Sequence, residues 1–267
     1  MDDVSILLSG EYWNPEFADL ISKPTKYSVT LRDLKSVLDD NPADDRFQLV
    51  VVAQARRGQF EDQQLEQLAA KYQHVPIVLL CGSWCEGETR SGTPVPGLAR
   101  VYWHQWEGRF ENFKEQLQSQ GIASWHLPRI ATISDHIQHD VSNCVREKPT
   151  PLIGISSLTR QGFEMMADAV GSKNVIWIES LDTKDVQSIE LSVICFECNS
   201  LTANTQQRIQ VLQEKFPGTA FVLTLNFPRR SEFQIAASLG IAELVSKPFQ
   251  LCDLQFAIRR ALAPMAA

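Results

Sequence analysis

Short apolar runs alternate with segments of helical period along the whole chain, and this alternation constrains the fold more than any other feature. The runs are Val4–Leu8, Leu49–Ala53, Pro76–Cys81 and Arg100–Trp103, then Leu152–Ile155, Val175–Ile178, Leu191–Phe196, Ala220–Leu225 and Glu243–Val245. Tyr27–Leu31 is a tenth, weaker candidate. Continuous Val, Ile and Leu runs of this length suit strands buried on both faces of a parallel sheet. Between them, Asp62–Tyr72 places Leu65, Leu68 and Ala69 on one helical face. Ala203–Phe216 does the same with Ile209, Leu212 and Phe216, and Phe249–Leu262 with Leu251, Leu254, Ile258 and Leu262. Strand–helix–strand alternation with short connections predicts βαβ units, and so an α/β fold with helices on both faces of each sheet.

The pattern runs twice, with five strand candidates in each copy. The copies are separated by a polar stretch containing Pro128, Pro149 and Pro151, with room for one short helix around Ile130–Val145. The expected organisation is a domain over 1–120, a linker over 121–150 and a second domain over 151–267.

Charge and cysteine content narrow the function classes. The net charge is −7, and residues 1–120 hold 18 acidic against 12 basic side chains, while 151–267 hold 11 against 10. An acidic chain with few basic doublets, Arg229-Arg230 and Arg259-Arg260 among them, lacks the electrostatic footprint for nucleic acid or an anionic membrane. Six cysteines in 267 residues do not make a disulfide scaffold. Met1-Asp2-Asp3 is not a secretory n-region, and every apolar stretch falls far short of the roughly 20 residues that span a bilayer. A cytoplasmic protein with reduced thiols is expected.

The second half carries three ordered blocks. Phe216-Pro217-Gly218-Thr219-Ala220-Phe221-Val222-Leu223-Thr224 is followed by Ala236-Ala237-Ser238-Leu239-Gly240-Ile241-Ala242 and then by Glu243-Leu244-Val245-Ser246-Lys247-Pro248-Phe249. In order and spacing they resemble the receiver domain of two-component response regulators. Receivers end their fourth strand with Ser or Thr and close the fifth with Lys-Pro-Phe. The resemblance covers about residues 150–264 and implies a flavodoxin-like, five-stranded parallel sheet. It also implies a reaction centre in which an Asp ending the third strand accepts a phosphoryl group. Two acidic residues ending the first strand hold Mg²⁺, the Lys pairs with the phosphoryl charge and the Thr hydroxyl reports it.

At those places the chain departs from the family. The first strand ends in Ser156-Ser157 instead of an acidic pair, and neutral hydroxyls are poor Mg²⁺ ligands beside carboxylates. Glu197 stands at the acceptor position, one methylene longer than Asp. Thr224 and Lys247 are retained, so Glu197 is expected to pair directly with Lys247 without metal.

The first half follows the same frame by layout alone. Ser9 ends its first strand, Ala53 its third, Cys81 takes the hydroxyl position and His104 the Lys position. Beside the second half, an internal duplication is the economical reading. The stretch Gly82–Gly97 holds four glycines and two prolines, which a helix would not tolerate, so a loop is expected in place of the fourth helix. Trp84, Trp103 and Trp106 flank it, with Glu86, Glu88 and Arg90 inside. These form the candidate interaction surface, since Trp supplies large contact areas at interfaces. The bland alternative is that the rings fill the space left by the helix.

Sharper chemistry is weaker. Cys81, Cys85, Glu86, Glu88 and His104 suggest a metal centre, but a compact second Cys pair is missing. Cys195-Phe196-Glu197-Cys198 spells CxxC, yet residues three apart on a strand face opposite sides. His136 and His139 fit a solvated helix face. Phosphate-binding loops, nucleophile elbows and kinase signatures are absent from the sequence. No metal, cofactor or enzymatic activity is expected.

The leading expectation is a protein of tandem degenerate receivers that acts by phosphorylation-independent protein–protein interaction in a signalling pathway. Two alternatives stay open. One is an atypical response regulator still phosphorylated by a histidine kinase. The other is a metal or small-molecule site in the first domain.

Overall fold

The computed structural model describes residues 4–18, 27–40, 46–87, 95, 97–120, 122–128, 130–131, 134–136, 138–139, 151–181 and 189–263. The chain divides into two compact units, Met1–His139 and Asp140–Ala267. The helix expected around 130–145 falls largely outside the described residues.

The first unit holds strands β1 (Val4–Gly10), β2 (Tyr27–Leu31), β3 (Leu49–Arg56), β4 (Ile77–Trp84) and β5 (Ala99–Tyr102). All neighbours are parallel, in the order β2-β1-β3-β4-β5. Its helices are α1 (Leu34–Asp39), α2 (Asp62–Lys71) and α3 (Trp106–Gln120). On one sheet face Leu7, Val50, Val52, Leu79 and Cys81 meet Leu65 and Leu68 of α2. On the other, Leu8, Val51, Ala53 and Leu80 meet Trp106, Phe110 and Phe113 of α3. Both faces are covered, which is why the strands read as unbroken apolar runs. Trp125 stacks on Phe113 at 4.8 Å, so part of the stretch expected to link the halves packs onto this unit.

The second unit repeats the plan. Its strands are β6 (Ile153–Ser156), β7 (Val175–Trp177), β8 (Val193–Glu197), β9 (Ala220–Asn226) and β10 (Glu243–Lys247). They are parallel, in the order β10-β9-β8-β6-β7. Numbered within each unit, both sheets read 2-1-3-4-5, the flavodoxin-like order. The helices are α4 (Arg160–Val170), α5 (Ala203–Lys215), α6 (Arg230–Ser238) and α7 (Leu251–Leu262). Thr159 caps α4 by accepting from the Gly162 N–H at 3.0 Å, and Gly171 ends it at φ +68°. Helices α4 and α7 cover one sheet face, packing on Ile155, Cys195, Val222 and Val245. Helices α5 and α6 cover the other, packing on Ile194, Phe196, Leu223 and Leu225.

Candidate functional site

Alternation along each strand decides which side chains meet at the carboxyl ends. Cys195, Val222 and Val245 face α4 and α7. Two residues on, Glu197, Thr224 and Lys247 fall on that same face, Glu197 and Lys247 as the last residues of β8 and β10. The register supports the grouping, with Glu197 opposite Thr224 and Thr224 opposite Val245. Lys247 and Glu197, expected to meet, stand 3.4 Å apart as Nζ to Oε1. Ser157 donates its hydroxyl to the other carboxylate oxygen at 2.7 Å. Thr224 is fully buried, and its Oγ1 has no hydrogen-bond partner.

Helix α4 closes the pocket from above. A Cβ on Gly162 would lie 2.2 Å from Ser157 Oγ and 2.7 Å from Glu197 Oε2. Only a glycine lets the first turn of α4 come this close. A serine hydroxyl, a carboxylate, an ammonium and helix backbone crowd together at this corner.

Ser156 points the opposite way. Its hydroxyl donates to Glu179 Oε1 at 2.6 Å, and the Ser157 N–H donates to Glu179 Oε2 at 3.1 Å. Arg208 of α5 reaches the same carboxylate at 3.1 Å. Glu179 was missed by sequence reasoning, because it follows β7 in a short 3₁₀ turn outside the motif blocks. Its visible signal was a carboxylate at a strand's carboxyl end. The carboxylates of Glu179 and Glu197 each accept from protein donors on both oxygens.

Two expected equivalences in the first unit are corrected by register. Ala53 pairs with Leu80, as Glu197 pairs with Thr224, so Leu80 and not Cys81 takes the hydroxyl position. Leu80 in turn pairs with Val101, as Thr224 pairs with Val245. Two residues on, Trp103 and not His104 stands where Lys247 stands. A slip of one residue moves a side chain to the other face of the sheet. Cys81 accordingly lies on the α2 side, with Ala53 on the α3 side. Ser9 keeps its place as the counterpart of Ser156, buried and with an unpartnered Oγ. Gly10 then matches Ser157, and at φ +83° a Cβ there would lie 2.3 Å from Ala53 O. Gly10, Ala53, Leu80 and Trp103 themselves bring neither a carboxylate nor a cation, and the nearby Glu16 carboxylate accepts from the Ser83 N–H at 2.9 Å.

His104 lies in a 3₁₀ turn after β5, its side chain 1% exposed. Burial, and next the Arg109 guanidinium, push its pKa down to about 4. Glu86 stands 3.8 Å away, too far for a hydrogen bond and 30% exposed, so burial prevails and the ring is neutral.

The candidate interaction surface divides. Trp84 is 84% exposed at the end of β4. Trp103 is partly buried and donates its Nε1–H to Ser83 Oγ at 3.1 Å. Trp106 does not belong to the surface: it is 6% exposed and stacks on Phe110 at 5.1 Å and Trp125 at 6.1 Å. It opens α3 on the stripe shared with Phe110 and Phe113, which faces the core. Glu88 and Arg90 lie outside the described residues, and among the described residues of 85–98 there is no helix.

The CxxC pair is split by the sheet. Cys195 packs toward α4 and α7, Cys198 toward α5 and α6, and burial pushes each thiol up to about 12. Among the described residues no three His, Cys, Asp or Glu side chains group to hold a metal, and no helix is long and apolar enough to cross a membrane.

No family model matches the chain, and neither does any curated protein. Similar solved structures include a pilus assembly-related protein of Burkholderia pseudomallei, at 16% identity over 44% of this chain and 96% of that one, TM-score 0.37. A response regulator from Thermotoga maritima matches at 16% identity over 43% and 99%, TM-score 0.36. The Escherichia coli RcsC C-terminus, with its linker region and phosphoreceiver domain, matches at 12% identity over 100% and 93%, TM-score 0.33. The 2-1-3-4-5 strand order, with Thr224 and Lys247-Pro248 in place, makes the second unit a receiver-like domain. The first unit has the same strand order.

Proposed function

We propose that this chain is a signalling or regulatory protein built from two duplicated, degenerate receiver domains. It works by binding a protein partner, independently of phosphorylation. The observation that carries this reading is the closed Ser157–Glu197–Lys247 cluster beneath Gly162. Receiver chemistry needs an open carboxylate beside a metal, because in-line phosphoryl transfer is mostly positioning and charge neutralisation. In this pocket the charge is already neutralised by Lys247. In the first unit the residues matching Glu197 and Lys247, Ala53 and Trp103, are neither an acceptor carboxylate nor a cation.

The exposed indole of Trp84 supports a binding role for the first unit, since a large aromatic held in water is suited to anchoring a partner. The test is to incubate the purified protein with acetyl phosphate and Mg²⁺ and weigh it intact. Unchanged mass is expected. A stable phosphoryl adduct mapping to Glu197 would overturn the reading and favour a working atypical response regulator.

A further inference from the structure

A cavity of about 280 Å³ opens in the first unit at the start of β4, the end opposite Trp84. Three connections build it: the α2–β4 loop at 72–76, the approach to β5 at Gly97 and Leu98, and residues 125–128, which begin in the 3₁₀ turn Ser124–His126. Pockets for drug-sized ligands run from roughly 300 to 1,000 Å³, so this one suits a molecule of one or two rings. Part of its wall is held before any ligand arrives. Trp125 stacks on Phe113 at 4.8 Å and on Trp106 at 6.1 Å, and His126 stacks on Phe113 at 5.6 Å with the planes 10° apart. The turn that carries both rings is tied to α3, because Gln116 Oε1 accepts the Ser124 N–H at 2.8 Å. A wall ordered in advance loses little entropy on binding.

The lining mixes flat and apolar surfaces, Trp125, Pro76, Leu98 and Pro128, with the polar Gln73, His74 and His126. The described residues that line it include no Lys, Arg, Asp or Glu. His126 Nδ1 accepts the Ala123 N–H at 3.2 Å, which places the ring proton of the neutral imidazole on Nε2. Burial pushes the His126 pKa down and outweighs the Ala123 backbone contact that raises it, so the neutral ring prevails at pH 7. Among the described residues, neither the His126 Nε2–H nor the Trp125 Nε1–H has a hydrogen-bond acceptor. Aromatic N–H donors, flat walls and a lining without fixed charge match an uncharged planar ring with acceptors on its edge.

We infer that this cavity binds a small, neutral heteroaromatic molecule of the nucleobase kind, which stacks on the Trp125 indole and accepts from His126 Nε2–H. The site lies at the opposite end of β4 from Trp84 and is independent of whether Glu197 accepts phosphate.

The probe is adenine, uncharged at pH 7, titrated into the full-length protein and followed by NMR of the amide and imidazole nitrogens. Saturable shifts should centre on Val75, Leu98, Trp125 and His126, and the His126 Nε2 signal should move with them. Benzoate, planar but anionic, should bind at least about tenfold more weakly, since no cation in the lining offsets its charge. His126→Phe keeps a ring to stack on Phe113 and removes the donor, and should weaken adenine binding by about fivefold. If that variant loses its fold, the wild-type Nε2 signal decides: a shift at saturation supports the site and a fixed signal overturns it. Four further results would each overturn the proposal: no saturable adenine binding, shifts centred elsewhere, benzoate binding as tightly as adenine, or a folded His126→Phe that binds like the wild type.

Discussion

Removing Lys247 tests whether its pairing with Glu197 is a structural contact of the second unit. At 3.4 Å, two unit charges attract by about 5 kcal/mol at an effective dielectric near 20. Desolvation and screening offset much of this. The side chains remain 20% and 29% exposed, between a surface pair at under about 1 kcal/mol and a buried one at about 3–5 kcal/mol. A coupling of about 1–2 kcal/mol follows. The clean cycle is Lys247→Met, Glu197→Gln and the pair, because Gln keeps an acceptor for the Ser157 hydroxyl while removing the charge. Hydrogen exchange followed by mass spectrometry isolates the second unit. Lys247→Met should speed exchange of the β8 and β9 amides by roughly 5- to 30-fold, and adding Glu197→Gln should recover much of that. If the two single effects simply add, the residues are not coupled and the reasoning fails.

Other consequences can be checked with single variants. Gly162→Ala should destabilise the second unit by about 1–3 kcal/mol in urea melts, since its Cβ overlaps Ser157 Oγ and Glu197 Oε2, and Ser157→Gly in the same chain should restore part of the loss. Trp84→Ala should stay within about 0.5 kcal/mol of wild type while weakening partner capture, whereas Trp106→Ala should cost about 3–5 kcal/mol. His104 is held neutral in the fold, with its pKa lowered from 6.5 to about 4, so the unfolded chain takes up the proton first. Its contribution is full above about pH 6.5 and fades as the pH falls toward 4, a loss of about 3 kcal/mol that His104→Gln should remove from the urea midpoint of the first unit.

The sheets were legible in the sequence because both faces of every inner strand are buried, so each strand is a continuous apolar run. Even the edge strand Tyr27–Leu31 keeps the bounds expected of it. The corners of the first unit were harder. Strand β4 runs eight residues, to Trp84, with an irregular register between Gln54 and Arg56. Counting from motif spacing alone placed Cys81 and His104 one residue off, and one residue decides the face. Glu179 was hidden for another reason: it belongs to no strand or motif, and only the fold brings it beneath Ser156. Trp106 was legible in principle, since Phe110 and Phe113 continue its stripe at helical spacing.

The central claim is that protein groups occupy the pocket where receivers hold metal and phosphoryl. Amide NMR of the protein titrated with Mg²⁺ and beryllofluoride tests it directly. The backbone signals of Ser156, Ser157, Glu197, Thr224 and Lys247 should stay in place throughout the titration. Saturable shifts centred on Glu197 and Lys247 would show the pocket opening to its ligand and would contradict the account.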